Sequence, residues 1–290
     1  MLKQSFQTAG EFLSLVKFSH TIFAMPFALI GFFLAVQMSE VEFSWILLLL
    51  VILCMIFARN AAMAFNRYAD KEIDILNPRT AVREIPSGII RPKSALLFTI
   101  INALLFVGTT WFINPLAFKL SPIALLVILG YSLTKKFTSL CHFILGLGLS
   151  LAPIGAYISV AGRFDILPIL FSCIVFFWVS GFDIIYALQD EDFDKSKNLK
   201  SIPARLGGKN ALFLSTLTHL IAATFVILPG IIANFGIFYW IGSIVFIGLL
   251  IYQHLLVKPN DLSKVNLAFF TTNGIASVIF ALFTILSMYF

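Results

Sequence analysis

Charge is what this sequence has least of. Only 12% of its residues are Asp, Glu, Lys or Arg, against 60% that are hydrophobic, and its mean hydropathy is +0.98. A soluble domain is about half apolar and about a quarter charged, so a water-facing globule is excluded. Long polar stretches are missing too, which leaves no room for a separate soluble domain or a low-complexity linker. Cysteine is sparse: Cys54, Cys141 and Cys173 lie in separate apolar segments without CxxC spacing, so they read as reduced packing residues. The four histidines, His20, His142, His219 and His254, are scattered. None has a metal-ligand neighbour at helical spacing, and each reads as a packing or interfacial residue. The first apolar run, "TIFAMPFALIGFFLAV", lacks a small-residue cleavage site and reads as a retained helix.

What is present is a succession of apolar runs, each near the 20 or so residues that cross a bilayer core. Breakers separate them: "NPRT", "INP", "AGRFD", "ARLGGKN" and "KPND". The expected class is an all-α polytopic membrane protein, one domain over 1–290, with about nine helices and a polar cap on the cytoplasmic side. The predicted spans are 18–38, 43–66, 94–113, 117–134, 139–161, 166–188, 210–232, 236–256 and 265–288. With that count, one side receives Lys3, Lys17, Arg67, Lys71, Arg79, Arg83, Arg91, Lys93, Lys135, Lys136, Lys195, Lys197, Lys200, Arg205, Lys209, Lys258 and Lys264. Arg59 lies in the second span near that side, and the other side receives only Lys119 and Arg163. The positive-inside rule assigns the rich side to the cytoplasm, in a bilayer expected to be a bacterial inner membrane.

Against this scarcity, two stretches load acid where spans should end: "NRYADKEID" (66–74) and "DIIYALQDEDFDK" (183–195). Asn66, Asp70 and Asp74 are spaced i, i+4, i+8. Asp183, Asp190 and Asp194 are spaced i, i+7, i+11. At about 100° per residue each set falls on one helical stripe. Solvated loops with mixed charge would account for Lys71, Glu72, Glu191 and Lys195. They do not account for acids kept in helical register twice, nor for an Asn in one stripe.

Neighbouring carboxylates repel, so something positive should compensate. Mg²⁺ takes hard oxygen ligands and is typically held by a few carboxylates plus substrate phosphates. Two facing acidic stripes suit Mg²⁺ set against a diphosphate. Nearby cations complete a clamp: Arg79 and Arg83 in "NPRTAVREIPSG", Lys135 and Lys136 in "YSLTKKF", and Lys200 and Arg205 in "KNLKSIPARLG". Positive-inside topology alone also explains a single Lys. A diphosphate at the cytoplasmic mouth of a bundle holding 32 Phe suggests a lipid diphosphate, its tail in an apolar chamber. Departure of the diphosphate leaves an allylic cation that aromatic faces stabilise.

At these residues the chain resembles the UbiA superfamily of intramembrane prenyltransferases. "NRYADKEID" is similar to its NxxxDxxxD pattern, and "NPRTAVREIPSG" to the Arg-Thr…Arg continuation. "DEDFD" is similar to its DxxxD pattern, and "YSLTKKF" to a Tyr-Ser…Lys-Arg/Lys element, with Lys136 where Arg is often seen. The resemblance runs over the full chain. It implies Mg²⁺-dependent transfer of a polyprenyl group from polyprenyl diphosphate to an acceptor. Asn66, Asp70 and Asp74 would hold one metal, and Asp190 and Asp194 the other. Arg79, Arg83, Tyr131, Lys135 and Lys200 would bind diphosphate, while Asp183 would orient a cation or the acceptor. "VKFSHTIFAMPFALIG" and "IIYALQDEDFD" look most like the 4-hydroxybenzoate polyprenyltransferase branch and its relatives in menaquinone synthesis. The acceptor would then be a small aromatic acid, 4-hydroxybenzoate or a hydroxylated naphthoate, prenylated on a ring carbon in quinone biosynthesis.

Other classes are weighed against this. A secondary transporter also places acids in helices, but usually near the membrane midplane, whereas these cluster at one face. Another membrane transferase acting on a lipid diphosphate is an alternative; the continuous motif of CDP-alcohol phosphotransferases is missing here. The expected partners are polyprenyl diphosphate, the aromatic acid and the bilayer, with no nucleic acid.

Overall fold

The computed structural model describes residues 10–12, 14–16, 23–39 and 41–290. Lys3, Lys17, His20 and the start of the first predicted span lie outside the described residues. Within them the chain is helical, and eight helices are long and apolar enough to cross a membrane. In chain order the elements are α1 (Met25–Met38), α2 (Trp45–Ala69), a short α3 (Lys71–Asp74), α4 (Pro92–Trp111), α5 (Pro115–Thr134), α6 (Cys141–Ala161) and α7 (Ile166–Ala187). Two short helices, α8 (Glu191–Ser196) and α9 (Ile202–Leu206), precede α10 (Gly208–Ile232) and α11 (Ile237–Leu256). A π-helical segment, Leu267–Thr272, then leads into α12 (Asn273–Tyr289). The 14-residue α1 is apolar but shorter than the rest.

Local chemistry sets the ends of these helices. Ser44 caps α2 by accepting from the Leu47 N–H. Asn114 caps α5 by accepting from the Ala117 N–H at 2.8 Å, with Pro115 at the first helical position, where its missing N–H does no harm. Gly162 ends α6 in the left-handed region at φ 64°, a conformation that favours glycine. In a bilayer the backbone must satisfy itself, which leaves helices as the spanning form.

The core is aromatic. Trp178 lies on α7 with Phe27 of α1, Phe246 of α11 and Phe280 of α12 around it, all fully buried. Phe27, Phe246 and Phe280 stand with ring centroids 5.0–6.3 Å apart. The Trp178 Nε1–H donates to Asn273 Oδ1 at 2.7 Å, which also accepts from Gln253 Nε2. Close helix approach depends on missing side chains. A Cβ on Gly31 would stand 2.0 Å from the Pro153 carbonyl oxygen, and one on Gly181 would strike the His219 ring. His219 in turn bonds His254 at 2.9 Å, so both are packing residues, as their scatter suggests. The three cysteines are free. Leu104, Leu126 and Ile244, each about two-thirds or more exposed, point outward, as expected of a lipid-facing wall.

Candidate active site

The polypeptide does not carry the first acidic stretch as one continuous helix. α2 ends at Ala69, and Asp70 (φ −97°, ψ 3°) is the joint before α3. Backbone bonds from Asp70 N to Asn66 O and from Asp74 N to Asp70 O keep the turns stacked. The expected single stripe is therefore corrected to a bent one. Asn66 Nδ2 donates to Asp70 Oδ2 at 3.1 Å, while Asp74 turns to Arg83, whose Nη1 donates to both its oxygens. Lys136 Nζ donates to the Ala69 carbonyl, a cation set where the helix dipole is negative. Asp70 has no ion pair among the described residues. Burial, and then the charge of Asp74, push its carboxyl up to about 6.

The second stretch is also interrupted. α7 ends at Ala187, a 3₁₀ turn covers Leu188–Asp190, and α8 follows. The three acids consequently meet three different partners. Asp183 Oδ2 stands 2.7 Å from His142 Nδ1. Because His142 Nε2 accepts from the Ile202 N–H at 3.3 Å, the proton belongs on Nδ1 and the ring donates to Asp183. Asp190 accepts from Asn77 Nδ2 at 2.9 Å and is gripped by the Arg79 fork through Nε and Nη2. Arg79 Nη1 donates to Tyr186 Oη at 3.1 Å. Burial pulls the Arg79 guanidinium down, but its bonds to Asp190 outweigh that and hold it above its ordinary value. Asp194 is fully buried, with Lys135 Nζ 2.8 Å from one oxygen. Neither Asp194 oxygen accepts an aligned hydrogen bond, so the pair is a charge contact only.

These groups surround one cavity of about 880 Å³, within the range of ligand sites. Asn66, Asp70, Asp74, Arg79, Arg83, Tyr131, Lys135, Asp183 and Asp190 all contribute to its wall. Asp194 and Lys200 do not. Asp194 lies behind Lys135, and Lys200 is exposed, its backbone N–H donating to the Lys135 carbonyl at 2.7 Å. The strand of chain after α8 thus straps Lys135 and His142 in place through backbone bonds.

Several wall residues have no counterpart among the predicted site residues. Arg59 and Arg67 lie on the cavity face of α2, with Arg67 only 6% exposed. The stripe that singled out Asn66 and Asp70 could have found Met63 and Arg59, one and two turns deeper. His142 was read as a packing residue; its partner is 41 positions away, and no spacing rule reaches that far. An aromatic wall continues from the arginine. Arg79 stands over the Tyr186 ring, Tyr186 lies 4.1 Å from Phe269, and Phe269 meets Phe23 and Phe182 edge-on. Phe269 belongs to the π segment, whose backbone irregularity Asn273 Nδ2 ties down at the Ala268 and Phe269 carbonyls.

The donor set fits magnesium. Asn66 and Asp70 are adjacent hard oxygen groups, and Asp194 holds two buried oxygens that accept no hydrogen bond. No cluster of three His, Cys, Asp or Glu side chains that could hold a metal occurs among the described residues. Mg²⁺ does not need one, because it keeps several waters and is usually bound by one or two carboxylates plus substrate phosphates.

Comparison with known proteins places this geometry. The chain is 30% identical over 239 residues to the 4-hydroxybenzoate octaprenyltransferase of Aliivibrio fischeri strain MJ11, covering 81% of this chain and 82% of that one. The enzyme of the same name from Shewanella pealeana is 30% identical over 222 residues, covering 77% of each chain. Among solved structures, the apo form of a UbiA homologue from Aeropyrum pernix K1 superposes with a TM-score of 0.83 at 30% identity, over 93% of this chain and 98% of that one. A UbiA homologue from Archaeoglobus fulgidus, solved with DMAPP and Mg²⁺, shares the fold at 21% identity with a TM-score of 0.76, over 96% and 99%. The model of the UbiA prenyltransferase family matches residues 24–275, most of the chain. The chain therefore belongs to the UbiA prenyltransferase family and is a prenyl-transferring membrane enzyme.

Proposed function

We propose that this enzyme transfers a polyprenyl group from polyprenyl diphosphate to a ring carbon of a small aromatic acid, 4-hydroxybenzoate or a hydroxylated naphthoate, in quinone biosynthesis. One observation carries the reading: a single cavity joins a ring of acids and arginines at one end to an apolar, aromatic chamber at the other. Relatives named 4-hydroxybenzoate octaprenyltransferase support the choice of acceptor. The whole of 1–290 acts as one domain. The Lys/Arg asymmetry supports a bacterial inner-membrane enzyme with its acidic mouth in the cytoplasm.

In this reading Asn66, Asp70 and Asp74 hold one Mg²⁺ and Asp190 and Asp194 the other. When bound, the metal draws electron density onto the leaving diphosphate. Arg79, Arg83 and Lys135, with Tyr131 beside them, bind diphosphate oxygens as donors; Lys200 contributes long-range charge from outside the cavity. The C1–O bond breaks and its electron pair leaves with the diphosphate. Tyr186 and Phe269 face the cation that remains, as aromatic rings stabilise positive charge. The acceptor ring carbon bonds to C1 and gives its proton to the released diphosphate, which restores the aromatic ring. Asp183, oriented by His142, fixes the acceptor beside that carbon.

The test uses membranes carrying the protein, a labelled prenyl diphosphate, Mg²⁺ and a panel of aromatic acids. Ring-prenylated product that vanishes with EDTA and returns with Mg²⁺ is expected. Undiminished product in EDTA, or no product with any aromatic acid, would overturn the reading.

A further inference from the structure

The last helix begins irregularly. Residues Leu267–Thr272 wind as a π turn before α12, which inserts one extra residue into the helical path. At about 100° per residue, the insertion turns the side chains before it by about 100° relative to a regular continuation of α12. Phe269 is one of those side chains, and it lines the cavity against Tyr186. Three side-chain donors hold the turn. Asn273, fully buried, donates through Nδ2 to the Ala268 carbonyl at 3.1 Å and the Phe269 carbonyl at 2.9 Å. Thr272 Oγ1 donates to the preceding carbonyl, that of Leu267, at 3.1 Å. On its other side Asn273 Oδ1 accepts from Trp178 Nε1 at 2.7 Å and from Gln253 Nε2 at 2.8 Å. Both donors and both lone pairs of the Asn273 amide are thus in use. Trp178 stands about two turns before Tyr186 on α7. One amide therefore ties the turn that carries Phe269 to the helix that carries Tyr186.

We propose that Asn273 is a positioning residue for prenyl transfer: its amide holds the π turn that aims Phe269 into the cavity beside Tyr186, and so sets the aromatic wall facing the developing cation. The inference rests on the prenyl-transfer reading above. The Tyr186 ring is fixed at its hydroxyl by Arg79 Nη1. Phe269 has no polar handle, so its ring is aimed by its backbone and by packing against Phe23 and Phe182. The wall acts on charge that exists only once the C1–O bond breaks. Misaiming it therefore slows turnover and leaves the binding of diphosphate and metal unchanged. Asn273→Asp isolates the donors. It is nearly isosteric and still accepts from Trp178 and Gln253, but it offers at most one donor to two carbonyls. Gln253→Leu is the control, because it removes a bond on the acceptor side and leaves both donors on the π turn.

The experiment measures ring-prenylated product with wild type, Asn273→Asp, Thr272→Val, Gln253→Leu and Phe269→Leu. Asn273→Asp should lose on the order of tenfold in kcat, the scale of one desolvated cation–aromatic contact. Its KM for prenyl diphosphate should stay within about twofold of wild type. Thr272→Val gives up one donor of three and should fall in the same direction by less. Gln253→Leu should lower Tm and keep kcat. Phe269→Leu should match Asn273→Asp, and the double variant should be no slower than either. Additive kcat losses, a KM change as large as the kcat change, or an equal kcat loss in Gln253→Leu would overturn the proposal. A second readout needs no turnover. Cys54 and Cys141 also line the cavity, so Phe269→Cys is made with all three native cysteines replaced. It should react with a small thiol reagent, and adding Asn273→Asp should slow that reaction severalfold while adding Gln253→Leu should not. Unchanged labelling would overturn the positioning role. If wild type transfers no prenyl group, the functional reading fails, and labelling alone decides whether Asn273 aims position 269. If Asn273→Asp does not accumulate, Thr272→Val decides, and wild-type kcat and labelling in that variant would overturn the proposal.

Discussion

Arg83 holds both carboxylate oxygens of Asp74 through a single nitrogen, Nη1, at 2.7 and 2.8 Å. The same arrangement recurs around the cavity: Arg79 grips Asp190, and Lys135 stands against Asp194. The cations expected to bind diphosphate thus neutralise the carboxylates expected to bind metal. Asp74, Asp190 and the three cations line one cavity, with Asp194 behind Lys135, so a metal diphosphate entering there would be expected to exchange partners with them: phosphate oxygens to the cations, metal to the acids. Burying an acid without a partner is costly, and these pairs offset that cost.

Removing one member of a pair should therefore hurt twice. Arg83→Gln leaves Asp74, only 5% exposed, without its donor. Breaking a buried pair in this way costs about 3–5 kcal/mol at most, and less here because Arg83 is partly exposed. The expected outcome is a lower Tm of the ligand-free enzyme and a higher KM for prenyl diphosphate. Adding Asp74→Asn to Arg83→Gln should recover much of the Tm but none of the activity. Independent, additive losses in both readouts would show that the pair is not a unit.

Asp70 is the exception among the acids and should give a pH signature. Its carboxyl is raised to about 6 by burial and then by Asp74, while in the unfolded chain it titrates near 3.8. The folded state binds the extra proton between these values, so the group's contribution to stability is present below the lower one and lost as pH rises through the upper one. Asp70→Asn should thus raise the Tm of the ligand-free protein near neutral pH, by no more than about 2–3 kcal/mol in stability, with the difference disappearing near pH 4. Mg²⁺ with diphosphate should stabilise wild type and not the variant. A Tm difference independent of pH would remove the burial argument.

How far the sequence disclosed this site depends on distance along the chain. Asn66 and Asp70 are one turn apart, and their shared face was legible from spacing alone. Helix positions were legible as well, because apolar runs and capping residues such as Ser44 and Asn114 are local signals. The bend at Asp70 was not, since periodicity continues unbroken through "NRYADKEID" while the backbone does not. Nor were the pairings. Arg79 meets Asp190 across 111 positions and His142 meets Asp183 across 41, and only the packing of α6 and α7 against the first motif brings them together. Phe269 was hidden among 32 phenylalanines; its role depends on a π turn that no composition announces.

The two lysines expected at the diphosphate now separate. Lys135 lines the cavity and faces Asp194, whereas the Lys200 side chain is exposed and its contacts are made by its backbone, the N–H to the Lys135 carbonyl and the carbonyl to the Cys141 thiol. Lys135→Ala should cut turnover on the order of 10²-fold, the scale of a lost electrostatic contact to a leaving group. Lys200→Ala should retain most turnover and show its deficit, if any, only at low ionic strength, where exposed charge is least screened. Initial rates at two salt concentrations check this. Equal losses at both positions would mean that the segment carrying Lys200 closes over the substrate.

The last prediction asks whether "NRYADKEID" is a working face or a solvated turn. Its residues differ sharply in surroundings although they are consecutive. Asp74 is buried, Asp70 and Asn66 line the cavity as a bonded pair, Lys71 lies over the Tyr68 ring, and the Glu72 side chain is 88% exposed. Lys71 and Glu72 touch each other at 3.8 Å, an exposed pair of the kind that contributes little. A solvated turn would tolerate alanine about equally at every position. A metal-diphosphate face would not. Lys71→Ala and Glu72→Ala should keep most turnover. Asp70→Ala and Asp74→Ala should lose on the order of 10²-fold or more, the scale of removing a preorganised contact to developing charge. Asn66→Ala should fall between them, since a neutral ligand is lost and Asp70 keeps its charge. The measurement is prenylated product per inserted protein at saturating Mg²⁺. Equal tolerance at all five positions would discard the working face even with the family unchanged, because it would place the chemistry on the second acidic stretch alone.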